Sequence, residues 1–147
     1  VDSFGIAGDV AGFGVRLEQK NNSAANSDVT FGSISKEVNG VALNYSWIDA
    51  DANGLIAETD SSIFAVENAG SGDSNSQFSA KTSMAGNTVT VKAGTVGYAA
   101  ATDLDYTQVG VSRSLASGAK LALTYTNKDT SATAETKTFE ADISVKF

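Results

Sequence analysis

The fold this sequence predicts is all-β: a transmembrane, antiparallel up-and-down β-barrel. Three observations lead there. The closing stretch, Lys137 to Phe147, alternates apolar Phe139, Ala141, Ile143, Val145 and Phe147 with polar Thr138, Glu140, Asp142, Ser144 and Lys146, and it stops on the aromatic. Short turns and long polar connections follow one another in strict alternation. No apolar run approaches the ~20 residues that a spanning helix needs. A strand that is greasy on one face and charged on the other suits a wall with lipid outside and water inside.

Composition bounds the rest. The 147 residues amount to a single domain, 1–147, with room for roughly 8–10 membrane strands of ~9–11 residues. Hydrophobic residues make up 41% and mean hydropathy is −0.08, as expected of strands that give half their positions to a polar lumen. There is no Cys, which fits a chain crossing an oxidising compartment without unwanted disulfides. The lack of Pro fits strands whose N–H groups must all be paired. A net charge of −7 argues against a nucleic-acid partner and, if the charge lies in the loops, favours cations. With no initiator Met and no signal peptide, the expectation is a mature exported protein or a fragment.

The strands follow in order. Phe4, Ile6 and Val10 are even and Phe13, Val15 and Leu17 odd, so Ser3–Val10 and Phe13–Gln19 form a hairpin across Ala11-Gly12, whose two-residue turn shifts the outward parity. The third and fourth strands, Asp28–Val38 and Val41–Ile48, flank Asn39-Gly40, the strongest short hairpin signal available. In the third, Val29 and Phe31 are odd but Ile34 and Val38 even, which predicts a bulge. The fifth and sixth, Gln77–Ala85 and Thr88–Val96, place Met84 and Val89 face to face across Gly86-Asn87. The seventh and eighth, Tyr106–Leu115 and Ala119–Thr126, join through Ala116-Ser117-Gly118, a three-residue turn with Gly placed for a bulge. The ninth ends at Phe147.

Traced back from a periplasmic Phe147, every short turn falls on the periplasmic side and Val1 at the extracellular rim. Phe4, Phe31, Tyr45, Trp47, Phe78, Tyr98, Tyr106, Tyr125 and Phe139 then collect near the long connections, as an aromatic girdle should, with Phe13 and Phe147 marking the other rim. Arg113 falls on the outward face, where its long side chain snorkels to headgroups. Within the longest connection, Ser61–Glu67 suggests a further strand or a small hairpin. An alternative merges Ser3–Gln19 into one strand and gives a complete eight-stranded barrel, but that strand exceeds the ~9–11 residues that span a membrane.

Inward positions supply the pore-lining candidates Arg16, Glu18, Lys81, Lys92, Lys120, Glu140 and Asp142, with Lys146 beside them. In a wide pore such charges set the field felt by passing ions; in a narrow barrel they form a packed ionic network. Lys81 and Lys92 lie on paired strands and suggest a basic patch. A sharper motif is Asp49-Ala-Asp51-Ala-Asn53-Gly54-Leu55, closed by Asp60, which matches a calcium loop: oxygen ligands at alternate positions, a Gly for the sharp turn, a carbonyl from Leu55 and a final carboxylate. The plain alternative is an Asp/Asn/Gly turn leaving a strand, with no metal. His and Cys are absent and no Ser sits in a nucleophile elbow, so an enzyme is not expected.

Two stretches carry a resemblance: Thr138-Phe-Glu-Ala-Asp-Ile-Ser-Val-Lys-Phe147, and Gly110-Val-Ser-Arg-Ser-Leu-Ala-Ser-Gly-Ala-Lys-Leu-Ala-Leu-Thr-Tyr125 before it. Together they resemble the closing strands of Gram-negative general diffusion porins of alphaproteobacterial type. The resemblance implies a sixteen-stranded, water-filled outer-membrane barrel, a homotrimer among lipid and lipopolysaccharide, with a loop folded inward to narrow the pore. It also implies Phe147 as a signal read by the barrel-assembly machinery, and this chain as the C-terminal part, with about seven strands missing. The constriction loop of those porins lies in their first half, so its residues transfer to no position here. The implied function is passive diffusion of small hydrophilic solutes. Against it stand a small structural or adhesive barrel with a closed lumen and a soluble ligand-binding barrel.

Overall fold

The tight turns set the fold. Ala11-Gly12, Asn39-Gly40 and Ala85-Gly86 each place two successive residues at positive φ, between 50° and 76°, the backbone of a type I′ hairpin, whose twist matches that of the strands it joins. The fourth short turn is the three-residue one: Leu115 N–H donates to Ala119 O (2.8 Å), Gly118 N–H to Leu115 O (3.0 Å), and Gly118 takes φ 82°. The third turn lies one residue earlier than the sequence suggests. Met84 pairs with Asn87, and Val89 with Thr82, because the left-handed pair is Ala85-Gly86 and not Gly86-Asn87.

The computed structural model describes residues 2–23, 27–54, 63–66, 72–130 and 133–145. They form nine strands: β1 (Asp2–Val10), β2 (Phe13–Asn22), β3 (Ser27–Val38), β4 (Val41–Ala50), β5 (Ser74–Met84), β6 (Asn87–Gly97), β7 (Leu104–Ser114), β8 (Ala119–Thr130) and β9 (Thr133–Val145). All belong to one antiparallel sheet in the order β1 to β9. The all-β meander is therefore as the sequence predicts, with the hairpin across Ala11-Gly12 borne out over the single-strand alternative. Ser3–Gln19 is not one strand, since β1 and β2 pair in register from Asp2–Asn21 to Val10–Phe13. The sheet is not closed, since β1 and β9 stand at opposite ends of the strand order.

The register divides the side chains into two faces. On one, Ile6 faces Leu17, Ile34 faces Tyr45, Tyr45 faces Phe78, Val91 faces Val109, Val111 faces Leu123, and Leu121 faces Ile143. Among the described residues nineteen large apolar side chains are exposed, and they lie along this face from Phe4 (72%) and Ile6 (58%) on β1 to Phe139 (67%) and Ile143 (72%) on β9. Lys36 also stands here near the short turns, its ammonium 4.0 Å from the Phe13 ring centre. Arg113 does too, between Asn87 and Leu121, as expected.

The opposite face is polar, except where β3, β4, β6 and β7 approach the long connections. There Val29 (3% exposed), Phe31 (1%), Ile48 (1%), Val96 (0%) and Tyr106 (3%) are buried. This removes three members from the expected girdle: Phe31 and Tyr106 point away from it, and Tyr98 packs against Val96 and Tyr106. It also removes the expected bulge in the third strand, because β3 pairs with β2 and β4 in unbroken register. The change of parity is instead a change of cover: Val29 and Phe31 are apolar on the polar face because something packs on them. The irregularity that does occur lies between Lys128 and Thr130, where β8 meets β9.

Candidate functional site

The cover is a short strap, residues 63–66, from the β4–β5 connection. It lies across the polar face near the long connections. Phe64 (4% exposed) packs with Val29, Phe31, Ile48 and Ala50, with Ile63 against the same cluster. Val66 packs with Val96 and Tyr106, flanked by Ala65, Tyr98 and Leu104. These four residues form neither strand nor hairpin; Ser61, Ser62 and Glu67 lie outside the described residues.

Side-chain amides of β5 hold the strap as a neighbouring strand would. The Gln77 amide oxygen accepts from Ala65 N–H (2.7 Å) and its nitrogen donates to Ile63 O (3.2 Å). Asn75 Nδ2 donates to Val66 O (2.5 Å), while Tyr106 O–H donates to Asn75 Oδ1 (2.9 Å). Lys92 Nζ also donates to Ile63 O (3.2 Å). With Asn75 1% and Gln77 2% exposed, these bonds satisfy amides that would otherwise be buried at a cost. The Tyr106 ring crosses β6 at Gly94; a Cβ there would meet the Ser76 carbonyl and stand 2.6 Å from Tyr106 Oη.

Arg16, Glu18, Lys81, Lys92, Lys120, Glu140 and Asp142, the expected pore-lining residues, share the polar face, while Lys146 lies outside the described residues. Arg16 and Glu18 on β2 pair at 2.7 Å, with the Arg16 guanidinium 5.2 Å from the Phe31 ring centre. Lys81 stands opposite Thr90, and Lys92 opposite Ser79 and Gln108, so these two lysines are diagonal neighbours. Lys120 faces Ser114 and Ser144, Glu140 faces Thr124, and Asp142 faces Ala122. The polar face is thereby graded among the described residues. From β4 to β8 its charges are the cations Lys81, Lys92, Lys120 and Lys128, whereas its carboxylates lie on β1–β3 (Asp9, Glu18 and Glu37, beside Arg16 and Lys20) and β9 (Glu140, Asp142). Lys92 also anchors the strap, a role that alternation alone does not reveal.

The aspartate-rich turn is used structurally. Asp51 Oδ2 accepts from Asp28 N–H (3.0 Å) and Oδ1 from Asn53 N–H (2.9 Å), an Asx turn that ties the end of β4 to the start of β3. Backbone bonds from Ala50 N–H to Asp73 O (3.1 Å) and Gly72 N–H to Asp51 O (2.6 Å) close the neck of the connection. Asp49 remains in β4, opposite Thr30 and Ser74. No group of three metal-ligating side chains assembles among the described residues; Leu55 and Asp60, the remaining members of the expected set, lie outside them, as does Phe147.

Sequence reasoning missed the strap's docking site, although two signals pointed to it: the apolar run Ile63-Phe64-Ala65-Val66 inside a polar connection, and apolar Val29, Phe31 and Ile48 at positions that alternation assigns to water. Set beside protein-family models, curated proteins and solved structures, the chain matches none of them.

Proposed function

We propose that this chain forms the wall of a water-filled pore in a bacterial outer membrane and passes small hydrophilic solutes and ions by passive diffusion. One observation carries the proposal: a single sheet whose one face is apolar and exposed across all nine strands while the other carries charge. Exposed apolar patches on soluble monomers rarely exceed a few hundred Å², so a surface of this extent calls for an apolar neighbour. Strands of 9 to 13 residues match the ~9–11 that cross a bilayer. Docked on the polar face, the strap narrows whatever lumen that face encloses, as an inward loop does in the porins that the closing strands resemble.

Closure follows from strand direction. In an antiparallel meander β1 and β9 run the same way, so a direct seam between them would be parallel. An antiparallel barrel needs an odd number of further strands between them, and the about seven that would complete a porin-sized wall satisfy this. Trimer assembly, contact with lipopolysaccharide and delivery by the barrel-assembly machinery belong to the same proposal. Planar-bilayer recording tests it. Reconstituted protein is expected to give ohmic, stepwise conductance; folded, membrane-inserted protein that passes no current would contradict the proposal.

A further inference from the structure

Two glycines on the polar face differ in what lies over them. Gly94 is sterically required, because Tyr106 occupies the space of a side chain. Gly110, on the neighbouring strand, is not: a Cβ there would meet only Leu123 O and Thr124 Oγ1, both at 4.0 Å, ordinary contact. A strand-interior glycine weakens a sheet and often marks a place where another molecule approaches the backbone. Above Gly110 the surface is in fact hollow, a groove of about 230 Å³ walled by Thr88, Thr90, Lys92, Gln108, Ser112 and Thr124.

The groove is centred on one cross-strand row, whose charged ends, Lys81 and Glu140, lie beyond its walls. Lys81 faces Thr90, Thr90 faces Gly110, Gly110 faces Thr124 and Thr124 faces Glu140. An ammonium group thus stands at one end and a carboxylate at the other, with hydroxyls either side of the bare glycine between them. Lys92, on the Lys81 side, reinforces the positive end, and Asp142, two residues from Glu140 on the same face of β9, the negative end. Four strand spacings separate the backbones of Lys81 and Glu140, about 19 Å, a span that two long side chains leaning inward reduce to the reach of a small molecule.

We infer that this row is a binding subsite for small zwitterions, amino acids or short peptides. The solute carboxylate lies towards Lys81 and Lys92, its ammonium towards Glu140 and Asp142, and its backbone over Gly110 among the threonines. As a subsite for a permeating solute it rests on the pore proposed above, but its binding is measurable without conduction.

Glycylglycine is the probe, titrated against the reconstituted protein while the Gly110, Thr90 and Thr124 amide resonances are followed, with uncharged N-acetylglycinamide as control. Glycylglycine is expected to shift these amides saturably and to bind about tenfold tighter than the control. Lys81→Gln and Glu140→Gln are each expected to remove most of that difference. Gly110→Val is expected to abolish binding while resonances on β2 and β3 stay in place. Equal binding of the two probes, or glycylglycine binding that survives Gly110→Val, overturns the subsite. Conductance without selective binding leaves the pore standing and removes the subsite. Selective binding without conductance does the reverse, and the absence of both removes the two together.

Discussion

At the scale of single residues, the two glycines are expected to respond oppositely to the same change. Gly94→Ala forces a methyl group against the Ser76 carbonyl and the Tyr106 hydroxyl and should cost about 1–3 kcal/mol, the usual penalty of overpacking. Gly110→Ala adds a methyl where there is room and should be neutral or stabilise by up to about 1 kcal/mol. Urea midpoints in lipid vesicles read both. Asp51 gives a second comparison. Its carboxylate accepts two backbone N–H bonds, so Asp51→Ala should destabilise by about 1–2 kcal/mol. If the Asx turn is its whole role, the loss is the same with calcium as with a chelator; a loss seen only in calcium would instead favour the metal loop. The sequence motif could not decide between the two, because alternating aspartates and a glycine serve a tight turn and a cation equally well.

At the scale of elements, the hairpins were legible and the strap's seat was not. Asn39-Gly40 and the parity switch at Ala11-Gly12 report backbone conformation directly, since few residues tolerate successive positive φ angles. Docking of residues 63–66 depends on side chains far apart in sequence: Val29 and Phe31 below, Asn75 and Gln77 beside, Tyr106 beyond. No periodicity within one strand shows such a partner. Read strand by strand, Val29 and Phe31 suggested a bulge and Tyr106 a girdle position; the strap accounts for all three. Gln77 is the residue whose loss best isolates it. Gln77→Leu removes both bonds to Ala65 and Ile63 and is expected to release the strap, seen as faster proteolysis within 63–66 and, in bilayers, as a larger conductance. Unchanged proteolysis and conductance would mean that the Asn75 and Lys92 bonds, with the apolar packing of Phe64 and Val66, hold the strap without Gln77.

At the scale of the whole molecule, both edges of the sheet are open. β1 is exposed along its length and carries neither Lys, Pro nor bulge; of the devices that keep an edge strand from pairing it has only the charges of Asp2 and Asp9. Its apolar face continues undiminished to Phe4, Ile6 and Val10, as that of β9 does to Phe139 and Ile143. Alternation alone makes this two-faced sheet legible, and strand count with the placing of all short turns at one end follows from the same pattern. The open edges were not legible, because alternation within a strand does not say whether another strand pairs beside it. The wall charges were assigned correctly to one face, since period-two alternation suffices for that. Their segregation into a middle whose charges are all cations and flanks that hold the carboxylates required the register.

The central claim, that one face meets lipid and the other water, is tested most directly by labelling single cysteines in a chain that has none of its own. Variants of β7 at Val109 and Val111 on one face, and at Gln108 and Ser112 on the other, would be reconstituted in vesicles and treated with a water-soluble maleimide. The account predicts labelling with a period of two: strong at positions 108 and 112, and near background at 109 and 111, which should instead be quenched by a lipid-borne nitroxide. Equal labelling of all four positions by the water-soluble reagent would contradict it.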